Sequence, residues 1–240
     1  MDASDRRHIF SRFDGDLGGF RQLVLDMGQL ACEQVQLGAE AVTYCDMQRA
    51  RQVDDNYRAV RNLDMDLLEA NAELLAIHQP VASDLRFMIM LSRTAYDLER
   101  INREATRLAN LVEAHYADRI SKVGCELFDD VMRMAETTGE MLQQALRAIA
   151  DEQVQAGIEV VNSQEVVERL SQGALRRLAT YIMQDPRNIP MVIDATIALK
   201  GLERVADHAV SIAKNLIYAC SGKDVRHLSP LNLDPEFLRS

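Results

Sequence analysis

The positions of the prolines restrict the folds that this chain can adopt. The chain has 240 residues and five prolines, at positions 80, 186, 190, 230 and 235. Residues 1–79 and 81–185 therefore lack the residue that breaks helices, since proline has no amide hydrogen and its ring clashes with the preceding turn. Both stretches are rich in Leu, Ala, Glu, Arg and Met, which favour helix. With only 11 glycines and 5% aromatic residues, the chain is poor in the turn and strand residues of sandwiches, barrels and α/β folds. The sequence predicts an all-α protein.

Six amphipathic helices are predicted from apolar residues that recur at spacings of three and four. They cover about residues 16–43, 47–77, 83–112, 125–149, 152–184 and 190–222. Asp46, Asp151 and Asn188 each precede a predicted helix and have side chains that suit an N-cap. Gly222 suits the end of the last helix. Helices of about 30 residues must bury their apolar stripes on one another, and three-helix bundles allow this.

The two halves of the chain resemble each other. The segment LERI at residues 98–101 matches LERV at residues 202–205, and the same register pairs Ala105 with Ala209. A proline-containing break precedes both helices. Together these features indicate an internal duplication. The predicted fold is two pseudo-symmetric three-helix bundles, residues 1–120 and 121–228, followed by a C-terminal tail, residues 229–240.

Two carboxylates on the last helix form a candidate cation site. Glu203 and Asp207 are four residues apart, so their side chains lie on one helix face and repel each other. A hard or borderline cation would relieve that repulsion. The alternative is a solvated acidic face, or pairing of these carboxylates with Lys200 and Arg204.

The equivalent position in the first half holds a different pair. Glu99 is followed four residues later by Arg103, which makes a favourable helix ion pair and a poor metal site. His208 adjoins Asp207, but one residue is about 100° around the helix, so the two side chains are not expected to share an ion. The sequence has no Glu-x-x-His of a di-iron bundle, no HExxH, P-loop or GxGxxG and no GxSxG. We therefore expect a protein that is not an enzyme.

Charge and cysteine usage limit the partners and the location. The 27 Lys and Arg are outnumbered by 37 Asp and Glu, for a net charge of −10. Such a balance argues against nucleic acid and against anionic lipid as main partners. No apolar run approaches about 18 residues, so membrane insertion is not expected, and the charged N-terminal residues do not resemble a signal peptide. Four scattered cysteines without CxxC are typical of reduced, mostly buried thiols in a cytoplasmic protein.

Several segments resemble one known family. QPVASDLR at residues 79–86, followed by LERI at 98–101, is similar to the first-repeat signature of PhoU proteins. YIMQDPRNIP at residues 181–190 and LERVADHA at 202–209 have the form of the second repeat, and DVRH at 224–227 is similar to the C-terminal signature. The resemblance covers about residues 10–228.

The resemblance implies a function as well as a fold. PhoU proteins are cytoplasmic, consist of two three-helix bundles, are often dimeric and are not known as enzymes. They act as negative regulators of phosphate uptake and of the phosphate-starvation response. They are thought to link the phosphate ABC transporter to a membrane sensor histidine kinase. The expected partners are therefore the transporter ATPase, the sensor kinase and a second copy of the chain.

The resemblance also implies a metal site, which this sequence only partly keeps. Several PhoU proteins bind iron, zinc or other metals through a Glu/Asp-x-x-x-Asp motif on the third helix of each repeat. Glu203 and Asp207 match that motif, whereas in the first repeat Glu99 is kept and the aspartate is replaced by Arg103.

The second helices of the family usually add an acidic pair. The best register places residues 57–61 and 163–167 there, with Arg61 and Val167 where acids are expected. We expect a divergent PhoU-like regulator whose metal site is reduced or absent. The alternatives are a metal-storage or metalloenzyme bundle centred on Glu203 and Asp207, and a purely structural helical scaffold.

Overall fold

The computed structural model describes residues 3–114 and 127–225, with side chains described for residues 13–112 and 127–225. All regular structure in these ranges is helical, which confirms the predicted all-α class. A short 3₁₀ helix, Pro186–Asn188, precedes the last α-helix. The α-helices within these ranges are α1 Ala3–Tyr44, α2 Met47–His78, α3 Ala82–Ala114, α4 Asp129–Ala150, α5 Val154–Gln184 and α6 Ile189–Ser221.

The first helix is longer than its apolar pattern predicts. It begins at Ala3 rather than near residue 16. Residues 3–15 contain no proline, so nothing interrupts the backbone hydrogen bonds when the apolar periodicity is lost.

Two of the four predicted helix ends are correct in detail. Asp46 caps α2, since its carboxylate accepts hydrogen bonds from the amides of residues 48 and 49. Gly222 ends α6 with φ 73° and donates its amide to the Tyr218 carbonyl. Asp151 does not cap α5, because it directly follows the last residue of α4 as its C-cap, and the residue before α5 is Gln153. Asn188 precedes α6 but makes no side-chain cap, since its amide group donates to the Tyr181 carbonyl instead.

The helices pack as two three-helix bundles that share one hydrophobic core. Helices α1, α2 and α3 contact one another, as do α4, α5 and α6, and the bundles meet through α3 against α6 and α1 against α4. Helices α3 and α6 are antiparallel, because Arg86 donates to the Ala219 carbonyl (3.4 Å) while Asp97 lies 2.9 Å from His208. The predicted pair of bundles is confirmed. The boundary between residues 120 and 121 and the tail 229–240 lie outside the described residues and stay predictions.

The buried positions show the register of the duplication. Ile101 of α3 and Val205 of α6, the equivalent residues, are both fully buried. In the second helices, Val60 is equivalent to Val167, and both are core residues. The predicted register in α5 was therefore wrong by one residue: Val167 faces the core, and Glu168 takes the place of an expected acid.

Two expectations about the molecular surface can be compared with the structure. None of the helices in the described ranges combines the length and apolar character that crossing a membrane requires. Cys32 is buried, Cys45 is half-buried and Cys220 is exposed, and no disulfide joins them. The expectation of mostly buried thiols was thus wrong for Cys220, and Cys125 lies outside the described residues.

Candidate functional site

The sequence-predicted carboxylates of the second repeat line a groove between α5 and α6. The groove has a volume of about 300 Å³. Glu203 and Asp207 are four residues apart, so both side chains lie on the same face of α6, next to α5. The lining residues are Gln164, Val167, Glu168, Ser171, Gln172, Leu175, Lys200, Glu203, Ala206 and Asp207.

Glu203 is already partnered within its own helix. Lys200 Nζ lies 2.6 Å from Glu203 Oε2, one turn earlier on α6. The pairing of Glu203 with Lys200 is therefore the alternative that the structure shows. Arg204, the other expected partner, turns away and bonds to Glu104 of the first repeat (3.1 Å).

The Asp207 carboxyl has a raised pKa although Gln164, His208 and Lys200 all lower it. Loss of hydration in the groove raises the pKa of its carboxyl, and the negative charge of Glu203 raises it further. A hydrogen bond from Gln164 Nε2 to Asp207 Oδ1 (3.1 Å) opposes this rise. A carboxylate with a raised pKa is one whose charge lacks compensation, and a bound cation would supply it.

Two further groove residues were missed by the sequence analysis. Ser171 is buried, yet its hydroxyl has no hydrogen-bond partner. Glu168 adds a third carboxylate to the groove lining. The sequence could have shown Glu168 and Ser171 if the two second helices had been aligned by their apolar residues, with Val60 opposite Val167. In that alignment Glu168 is equivalent to Arg61 and Ser171 is equivalent to Asp64.

The first repeat fills the equivalent position with its own cation. Arg103 Nη2 lies 2.7 Å from Glu99 Oε1, and the Tyr57 hydroxyl donates to the same oxygen (2.9 Å). The hydrogen bonds to Glu99 and Tyr57 raise the pKa of the Arg103 guanidinium. Asp64 lies near this pair, where burial raises the pKa of its carboxyl and Glu99 raises it further.

The two clusters fit a metal ion to different extents. In the first repeat, Arg103 occupies the place of a ligand and neutralises Glu99, so the residues do not fit a cation. In the second repeat, carboxylates, an amide and an unpartnered hydroxyl offer the oxygen donors that hard cations prefer. Within residues 3–114 and 127–225, however, no three His, Cys, Asp or Glu side chains converge closely enough to hold a metal ion.

His208 is not a groove ligand. Its Nδ1 lies 2.9 Å from Asp97 Oδ1, across the contact between α3 and α6. In the first repeat, the residue equivalent to His208 is Glu104, and its carboxylate lies against Gly201. Glu104 is held by Arg107 (2.6 Å) and Arg204 (3.1 Å). The two repeats are therefore linked through buried carboxylates.

The sequence is similar to that of known proteins over most of its length. The sequence model of the PhoU domain matches residues 24–112 and 131–216, one match in each repeat. A phosphate-specific transport system accessory protein PhoU homolog of Pseudomonas aeruginosa is 34% identical, and the match covers 95% of this chain and 93% of that protein. The accessory protein PhoU of Escherichia coli K12 is 28% identical over 95% of this chain and 93% of its own length.

Solved structures are similar over the same range. The crystal structure of PhoU from Pseudomonas aeruginosa superposes with a TM-score of 0.81 at 32% identity, covering 88% of this chain and 100% of that one. The phosphate transport system regulatory protein PhoU of Streptococcus pneumoniae has a TM-score of 0.79 at 24% identity, covering 89% and 99%. At 24% identity, the match to the Streptococcus pneumoniae structure supports the fold alone.

Proposed function

Because the chain belongs to the PhoU family, we propose that it is an accessory protein of a phosphate-specific transport system and a negative regulator of phosphate uptake. The observation that carries the proposal is the PhoU domain match in both repeats, together with relatives named as phosphate-specific transport system accessory proteins at 34% and 28% identity. It acts in the cytoplasm, lowers uptake when phosphate is plentiful and keeps the phosphate-starvation response switched off.

The mode of action is binding to other proteins rather than catalysis. The partners are the ATPase of the phosphate ABC transporter and the phosphate-sensing histidine kinase, and the protein acts as a homodimer. Long helices packed on one core provide a rigid body suited to such contacts, since rigid surfaces lose little entropy on binding. As part of the same proposal, the two repeats divide between residues 120 and 121, and the C-terminal tail begins after residue 228.

Deletion of the gene tests this function. We expect the deletion strain to express a phosphate-starvation reporter, such as alkaline phosphatase, in phosphate-replete medium. A plasmid copy of the wild-type gene should restore repression. Unchanged reporter expression in the deletion strain would contradict the proposed role and would favour a structural scaffold.

A second candidate function is cation binding in the groove of the second repeat. It is favoured by the raised pKa of Asp207 and the unpartnered hydroxyl of Ser171. The oxygen donors suit a hard cation, although the family resemblance points to iron or zinc. A storage protein or metalloenzyme would need a fuller ligand set than the described residues bring together.

Metal analysis of protein purified without chelator tests the second candidate. We expect at most one tightly bound ion per chain, lost in Asp207→Ala and kept in the matched control Glu99→Ala. Several ions per chain, some of them lost in Glu99→Ala, would contradict the assignment of the site to the second repeat.

A further inference from the structure

The solvent-facing stripes of α3 and α6 adjoin and form one surface, which we call the α3–α6 face. The two helices lie side by side and antiparallel, each packed by other helices on its remaining sides. Arg107 on α3 and Arg204 on α6 reach the same Glu104 carboxylate while both side chains stay more than half exposed. The stripes therefore meet near this carboxylate.

Apolar side chains are exposed at both ends of the α3–α6 face. Leu85 and Ile89 lie at the start of α3, and their equivalents Ile189 and Ile193 lie at the start of α6, with Ile197 one turn further. Because the helices are antiparallel, these two groups lie at opposite ends of the face. Side chains four residues apart on a helix adjoin, so each end carries a contiguous apolar patch of the kind that marks an interaction site.

Cationic side chains occupy the middle of the same face. In three ion pairs the carboxylate lies underneath and the guanidinium faces water: the Glu99 and Glu104 side chains are about a tenth exposed, whereas their arginine partners are 41–57% exposed. Arg93 and Arg100 have no carboxylate partner among the described residues, and Arg100 stacks on the exposed Tyr96 ring. The cations are Arg93, Arg100, Arg103, Arg107, Lys200 and Arg204. They outnumber the carboxylates on the same stripe of α6, which are Glu203, paired with Lys200, and the exposed Asp207.

The grouping of these cations on one face contrasts with the acidic balance of the whole chain, although single outward arginines also occur at Asp130 on α4. The chain carries a net charge of −10, so an acidic protein is repelled by the molecule in general and attracted where cations are grouped. Five of the six cations are arginines, and an exposed tyrosine lies among them. Arg and Tyr are the residues enriched at the centres of protein interfaces, whereas Lys is depleted there.

We propose that the α3–α6 face docks a protein partner that presents an acidic patch flanked by apolar side chains. The proposal rests on the proposed function and assigns the surface through which the transporter ATPase is bound. The apolar ends supply buried area, and the cationic centre supplies orientation and selectivity against other surfaces.

Charge reversal at Arg93 and Arg100, which have no carboxylate partner among the described residues, tests the assignment. Arg93→Glu combined with Arg100→Glu changes the face without leaving a buried carboxylate unpaired. The matched control, Arg147→Glu combined with Arg176→Glu, makes the same change in charge at exposed arginines of α4 and α5 that have no ion pair among the described residues. Binding of the purified full-length proteins to the purified transporter ATPase of the same organism is measured by calorimetry at two salt concentrations.

The expected result separates this proposal from the proposed function. Wild type and control should bind equally, while the face variant should bind about tenfold or more weakly and lose most of the salt dependence. Equal binding of wild type and face variant would overturn the docking surface and leave the proposed function intact. No binding by the wild type would overturn both.

Other occupants of the face give distinct results. Sedimentation of the protein alone shows whether the face variant dissociates a homodimer, and flotation with phosphatidylglycerol vesicles shows whether it loses lipid binding. Either loss, with ATPase binding unchanged, would overturn the proposal in favour of a second copy or a lipid surface. Thermal melts and helical circular dichroism of all variants confirm that they are folded.

Discussion

At the scale of single residues, Arg103 accounts for much of the difference between the two repeats. Its guanidinium lies in the position of Asp207 and bonds to Glu99, which Tyr57 also bonds. A side chain that is covalently attached need not be captured from solution, so the Glu99 charge is neutralised at any metal concentration. In the second repeat the attached cation is Lys200, which bonds to Glu203 (2.6 Å), while Asp207 accepts a hydrogen bond from Gln164.

Replacing this arginine should create a cation site. In Arg103→Asp, Glu99 and Asp64 lose their neighbouring positive charge, and the new carboxylate adds to their repulsion. Without metal we expect a loss of about 1–3 kcal/mol in the free energy of unfolding, the usual cost of a buried group left without its partner. Millimolar Mn²⁺ should recover part of this loss and add one bound ion per chain.

Calorimetry and chemical denaturation with and without Mn²⁺ measure both effects. The matched control is Arg58→Asp, which makes the same change in charge at a well exposed position on α2. If Mn²⁺ stabilises both variants equally, then Arg103 is not acting in place of a cation.

Cys32 gives a prediction with a defined pH range. Burial, and next the charge of Glu33, raise the pKa of its thiol to about 12. The folded protein therefore holds the thiol proton more tightly than the unfolded chain, in which the pKa is about 8.5. The stability that this provides is complete below about pH 8 and is lost as pH rises towards 12.

Alkylation and alkaline unfolding test the state of Cys32. At pH 8 the folded protein should be alkylated at the exposed Cys220 well before Cys32, which should react only on unfolding, because the thiolate is the nucleophile. Mass spectrometry of peptides follows both sites. In Cys32→Ala, unfolding should depend less on pH above 9. Labelling of Cys32 as fast as in denatured protein would show that the thiol is not buried.

At the scale of helices, glycines let α1 approach its neighbours closely. A Cβ atom at Gly38 would lie 2.7 Å from the Ala105 carbonyl oxygen of α3, which is backbone and cannot turn aside. At Gly28 the obstacle is the end of the Leu146 side chain on α4, which can change rotamer. Gly38 therefore fixes the distance between α1 and α3, whereas Gly28 tolerates adjustment.

The effect of each glycine-to-alanine substitution on stability should follow from the atoms that the new Cβ meets. Gly38→Ala should destabilise the protein by about 1–3 kcal/mol through overpacking, and Gly28→Ala by less. Gly139→Ala on α4 meets nothing within 4 Å, so it should stabilise by about 0.5–1 kcal/mol through helix propensity. Chemical denaturation measures all three. A Gly38→Ala protein as stable as Gly139→Ala would mean that α1 and α3 are further apart than described.

At the scale of the whole molecule, buried carboxylates tie the repeats together. Glu104 belongs to the first repeat, and it is held by Arg107 of its own helix and Arg204 of the other repeat. Asp97 and His208 form a second link across the same contact. These pairs lie under the α3–α6 face, so the links between the repeats also position its guanidinium groups.

The two arginines at Glu104 should act together. Arg107→Ala or Arg204→Ala alone leaves one partner and should cost up to about 1 kcal/mol. The double variant leaves a buried, unpaired carboxylate and should cost about 3–5 kcal/mol, more than the two single losses combined. Denaturant unfolding of the four proteins forms a double-mutant cycle, with Arg147→Ala as the control. Additive losses would show that Glu104 is not held jointly.

Local patterns in the sequence determined the elements of this protein and their class. Prolines at only three internal positions, apolar residues every three or four positions and one well placed cap at Asp46 are enough for six helices, because these effects act within a few residues. The duplicated segments around Glu99 and Glu203 gave the pairing of the repeats, and the ion pair of Glu99 with Arg103 is a contact between adjacent turns. The family resemblance came from the same segments.

Only the tertiary structure decided which side chains of different helices contact each other. The apolar repeat already places Val167 on the core side of α5, but only the packing of α5 against α6 brings Glu168 and Ser171 into one groove with Glu203 and Asp207. The links from Glu104 to Arg204 and from Asp97 to His208 join residues more than 90 positions apart, and no local pattern encodes such contacts. The same holds for the α3–α6 face: each helix shows its own exposed residues, but only packing places the two stripes side by side with carboxylates below and guanidinium groups outside.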